Sequence, residues 1–173
     1  MLFIIPLIMV LNGCKNYYIT EDEGIRPKKP RYKIKPSKED LKNIDFSLLD
    51  TNAIYLCHLD SSIFETKDTN IYVFLRFFSD GRILKSFMQE GYPTLENVTN
   101  INTGVVGYYK LNNNKLIFEI FGLIFENCQY WQYESELSKE GIWVKSSRLS
   151  KKYYLNSHKI NDKYIRVPIS ELR

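Results

Sequence analysis

An all-β fold is what this sequence predicts for residues 37–173: an antiparallel up-and-down meander closing into a small barrel of about eight strands, with a β-sandwich as the alternative. Three observations carry that expectation. Short aromatic and β-branched runs recur from residue 53 onward, in a chain with thirteen Tyr and ten Phe. They are separated by turn chemistry at Asp80-Gly81, Asn112-Asn113-Asn114 and Ser138–Gly141. No fixed-period repeat is present, which argues against a propeller or solenoid.

The chain opens on an apolar stretch, Leu2 to Leu11, too short to cross a bilayer but of the length of a signal-peptide core. It stops at Leu11-Asn12-Gly13-Cys14 and turns polar. That tetrad resembles the lipobox of bacterial lipoproteins, in which Leu lies three residues before a Cys and a small residue lies directly before it. The resemblance implies that residues 1–13 are a signal peptide and that Cys14 carries the lipid. It implies an envelope protein held on a membrane by several acyl chains, since one chain binds only marginally. Lys15 following the Cys favours the outer membrane, by analogy with sorting in enteric bacteria. The periplasmic and surface faces stay open.

Residues 14–36 read as the lipidated Cys and a basic tether. Residues 26–38 hold seven Lys or Arg and no acid, and Pro27, Pro30 and Pro36 favour extended geometry. The readings are a solvated spacer or a segment in contact with anionic headgroups or envelope polymer. With this segment set aside, residues 39–173 carry 16 basic and 17 acidic residues, so no basic footprint for nucleic acid lies on the domain itself.

Ser37 with Asp40 approximates a capping box, and Leu41, Ile44 and Leu48 recur at helical spacing. A short helix over roughly 37–49 follows, either a lid on the barrel end or an ordinary cover for the core. Strands are then expected at 53–58, 71–78, 82–88, 104–110, 115–121, 129–137 and 141–147, with one or two among 151–167. Between the second and third, a strict two-residue turn would set Arg76 opposite Lys85. A three-residue loop, Ser79-Asp80-Gly81 with Gly81 left-handed, avoids that like-charge pair. The run 71–78 is apolar on both alternating sets, so it must be covered on both sides by a helix, another chain or lipid.

The patterns IYVFLRFFSDGRIL, GVVGYYKLNNNKLIFEIF and YWQYESELSKEGIWV resemble the lipocalin-like domains of small bacterial lipoproteins over residues 50–167. That resemblance implies a barrel that holds a small apolar or amphipathic molecule. Tyr108, Tyr130, Trp131, Tyr133 and Trp143 are the candidate contacts at its mouth. The alternative is a solid barrel, an interaction lipoprotein that docks an envelope partner or inhibits a secreted enzyme. Gly141-Ile142-Trp143 spells the Gly-x-Trp of true lipocalins but follows a late turn, so Gly141 reads as turn chemistry and Trp143 as a strand residue.

Cys57 and Cys128 form a disulfide or remain two buried thiols. His58 and His158 lack metal-ligand spacing, and no metal or other cofactor is expected. His58, Asp60 and Ser61 sit too close along one strand to form a triad, and the glutamates at 119, 126, 134, 136 and 140 read as strand positions. A binding or interaction protein is therefore expected in place of an enzyme.

Overall fold

The computed structural model describes residues 16–59, 70–88, 91–124, 127–150 and 158–172. The apolar opening and Leu11–Cys14 lie outside the described residues. A small hairpin, β1 (Tyr17–Ile19) and β2 (Ile25–Pro27), precedes helix α1 (Lys38–Lys42). Eight long strands follow: β3 (Ala53–Leu59), β4 (Ile71–Phe77), β5 (Arg82–Met88), β6 (Val105–Asn112), β7 (Lys115–Ile124), β8 (Asn127–Leu137), β9 (Gly141–Leu149) and β10 (His158–Pro168). Helix α2 (Leu95–Thr99) and a 3-10 turn (Ile101–Thr103) separate β5 from β6. Each long strand pairs antiparallel with the next, and β10 closes on β3. The fold is thus the eight-stranded antiparallel barrel, not the sandwich.

Turn chemistry sets the register. Gly81 has φ +84°, and the Phe78 N–H donates to Arg82 O at 2.9 Å, closing the three-residue loop. Phe77 then faces Ile83, Arg76 faces Leu84, and Lys85 falls opposite Leu75. Because side chains alternate, that register puts Lys85 in phase with buried Ile83 and Val73, on the inner face. Asn113 takes φ +54° in the β6–β7 turn. At Gly141 a Cβ would lie 1.9 Å from Tyr164 O, so close approach of β10 demands glycine there.

The barrel interior is packed with aromatics. The Phe77 ring meets Tyr55, Tyr109 and Phe118 edge-on, and Phe118 stacks on Tyr133 at 4.8 Å. Ile44 and Leu49 join this core with Leu41 and Leu48 against it, so residues 41–49 close one end. The expected helix over 37–49 is shorter than its pattern. The Ser37–Asp40 capping box starts it, but it ends at Asn43. Asp45 then accepts the Ser47 N–H at 2.9 Å, a local turn that competes with helix.

On the outer face, Ile54, Leu56, Phe74 and Leu84 form a second cluster under Val98 of α2 and Leu172. The doubly apolar β4 is therefore covered by helix α2 and by Ile169 and Leu172, which follow β10.

Residues 16–36, expected to extend as a spacer, lie along the wall formed by β6, β7 and β8. Arg26 donates to Gly104 O and Ile101 O. The Tyr32 ring sits edge-on between Tyr108 (5.1 Å) and Tyr130 (5.0 Å), and its hydroxyl donates to Val106 O at 2.8 Å. Burial pushes the Tyr32 phenol well above its ordinary range. Glu119 Oε2 accepts the Lys33 and Ile34 N–H groups at 2.6 and 3.0 Å. The wall's outward aromatics and fully buried Glu119 need cover, and this segment supplies both apolar area and donors.

Candidate functional site

The end opposite residues 41–49 is where β5 ends and β6 begins. The two strands stay paired as far as Lys85 and Val105, after which β5 runs on beside β4 alone. A cavity of about 330 Å³ opens at that divergence, with Lys85, Phe87, Val105, Ile120, Trp131 and Tyr133 among its walls. Gly122 also lines it, and a Cβ there would meet only the Val105 side chain, at 3.5 Å. Glycine is thus not forced at 122, and its missing side chain widens the opening.

Two charged residues line the chamber, Lys85 on the inner face and exposed Glu23 from the N-terminal hairpin. Lys85 Nζ lies 5.0 Å from the Tyr133 ring centroid and 5.6 Å from that of Phe87. Among the described residues it makes no ion pair within 4 Å. Asp162, on the inner face of β10, feels Lys85 at longer range: burial pushes its carboxyl up while the lysine pulls it down. Ionised Asp162 therefore costs the fold something, and that penalty grows as pH rises through its raised range. Cys57 and Tyr164 share the interior, and burial raises both. A thiol so shifted is a poor nucleophile. The indole Nε1 of Trp131 is buried without a hydrogen-bond partner among the described residues.

The five aromatic candidates divide between two faces. Trp131 and Tyr133 enter the chamber. Tyr108 and Tyr130 point outward and clasp Tyr32. Trp143 is on the outer wall, 41% exposed, its indole donating to Asn161 Oδ1 at 2.8 Å with Lys145 Nζ 4.4 Å from the ring. They do not form one cluster, because neighbours such as Tyr130 and Trp131 must point to opposite sides of a strand. The Cys57–Cys128 pairing is not made: Cys57 faces the core, whereas Cys128 lines a groove on the outer wall. His58 Nε2 lies 3.1 Å from Asn70 Oδ1, and Asp60 and Ser61 fall outside the described residues. Among the described residues no group of three His, Cys, Asp or Glu is placed to hold a metal.

Sequence reasoning passed over Lys85, Phe87 and Asp162. For the first two the signal was present: once the three-residue loop sets the register, residues 83, 85 and 87 share one face. Asp162 carried no such signal, since a register shift between Lys159 and Asp162 disturbs the alternation of β10.

Against known protein families, curated proteins and solved structures, the chain finds no match.

Proposed function

We propose that this chain is a lipid-anchored lipoprotein of the bacterial envelope, on the outer membrane, whose barrel carries a small amphipathic molecule and performs no catalysis. The apolar body would lie among Phe87, Val105, Ile120 and Trp131, with an anionic end toward Lys85. The observation supporting this most is Lys85 itself, an ammonium on the inner face with aromatic neighbours and, among the described residues, no ion pair. An ammonium half-buried at the mouth, beside the Tyr133 and Phe87 rings and with Asp162 only at a distance, is placed to pair with a ligand's anionic end. The unpartnered Trp131 N–H offers a second donor.

Two tests follow. The full chain carrying Trp143→Phe leaves Trp131 as its only tryptophan. Its emission should change as dodecanoate is titrated in, and Lys85→Met should weaken that binding about 10-fold or more, the worth of one charge-assisted hydrogen bond. Unchanged emission at saturating dodecanoate would remove the carrier reading. For the anchor, cells fed an alkynyl fatty acid should label the wild-type chain and not Cys14→Ser. Equal labelling of both would place any lipid elsewhere.

The interaction reading draws on Trp143 and Ile165, which lie on the outer faces of β9 and β10 and are 41% and 67% exposed. An apolar pair of that kind suits a protein partner. It would dock on the wall and leave the mouth open.

A further inference from the structure

A groove of about 710 Å³ runs between the N-terminal segment and the outer face of β7 and β8. Lys28, Lys29, Arg31 and Lys33 line one side, and Phe121 and Tyr130 line the other. None of the four cations makes an ion pair within 4 Å among the described residues. Their backbone is held in place: the Arg31 N–H donates to Tyr130 Oη at 2.8 Å, and Glu119 gathers the Lys33 and Ile34 amides. The backbone that carries these cations is thus held against the wall of the barrel.

An independent feature of the same groove also asks for a ligand. Ser150 lines it, is only 7% exposed, and its Oγ has no hydrogen-bond partner among the described residues. A buried hydroxyl without a partner is uncommon, and beside four cations it suits an oxyanion. Asn16 completes the lining two residues from Cys14. Two residues span at most about 7 Å, so an acyl chain on Cys14 would bring the groove to the membrane surface.

We infer that this groove binds the phosphate headgroup of an anionic membrane phospholipid. The phosphate would meet the lysines, Arg31 and Ser150, with the glycerol and first methylenes against Phe121 and Tyr130. Choosing a membrane lipid over free phosphate rests on the anchoring proposed for Cys14.

Native mass spectrometry of the full chain, extracted from membranes in mild detergent and supplied with phosphatidylglycerol, reads both questions together. The covalent mass reports whether Cys14 is acylated, and the non-covalent mass reports bound lipid. Phosphatidylglycerol should be retained over phosphatidylcholine. Retention should fall about 10-fold or more in the Lys28→Gln, Lys29→Gln, Arg31→Gln, Lys33→Gln variant, because clustered basic residues dominate such binding. Ser150→Ala, which leaves the four cations intact, should weaken it less. Lys139→Gln, which removes one cation from the exposed β8–β9 turn outside the groove, should leave it unchanged. Equal retention by the fourfold variant would overturn the site, and so would equal retention of the two lipids. Displacement by inorganic phosphate at matched concentration would overturn the lipid as the ligand. An unacylated chain that still retains phosphatidylglycerol would support the groove and refute the anchor.

Discussion

Gly107→Ala is expected to destabilise the barrel by about 3 kcal/mol, at the upper end for overpacking, because the only way to seat the new methyl is to move backbone. A Cβ at 107 would lie 1.8 Å from Glu119 O and 2.9 Å from Ile120 Cα, both on the neighbouring strand. Gly107 pairs with Ile83 on one side and Ile120 on the other, so neither neighbour can retreat without breaking its own ladder. For a chain of this size, the loss corresponds to a Tm lower by about 6–12 °C. Gly122→Ala is the control. Its Cβ would sit 3.5 Å from the Val105 side chain, an ordinary contact, and its Tm should stay near that of the wild type. Thermal unfolding followed by circular dichroism compares the two, and equal Tm values would contradict the close β6–β7 approach.

The second large effect concerns the N-terminal segment. Glu119 is fully buried, and its Oε2 alone accepts two backbone N–H groups from Lys33 and Ile34. Removing the carboxylate in Glu119→Ala leaves both donors without a partner, which favours release of the segment into water by about 2 kcal/mol. Trypsin reads this directly, since cleavage after Arg31 or Lys33 requires the segment to leave the wall. When opening is fast relative to cutting, the rate follows the open population, so cleavage should accelerate about 30-fold. Glu119→Gln keeps an acceptor oxygen and should fall between the two. Unchanged cleavage in Glu119→Ala would mean that Tyr32 and Arg26 hold the segment unaided.

The distinction between what was legible and what was not follows the range of each interaction. The β4–β5 loop could be anticipated because its ingredients are local: Asp80, Gly81 and the avoidance of Arg76 opposite Lys85 lie within ten residues. The same holds for the Ser37–Asp40 capping box and the turn at Asn113. The aromatic candidates divide for a different reason. Composition groups Tyr108, Tyr130 and Trp143 with Trp131 and Tyr133, whereas a strand sorts its residues by parity. Parity counted from the β4–β5 loop places Lys85 on the inner face.

A meander of about eight strands and the turns at Asp80-Gly81, Asn112–Asn114 and Ser138–Gly141 are legible in the chain, because period-2 patterning and turn preference act between near neighbours. Which surfaces those strands share is settled by closure of the barrel. Tyr32 meets Tyr108 and Tyr130 across 76 and 98 positions, and Glu119 reaches Lys33 across 86. Asp162 faces Lys85 only because the barrel closes. Such contacts leave no local mark in the chain: each is selected by closure of the wall and by the need to cover buried charge and aromatic surface once it has closed.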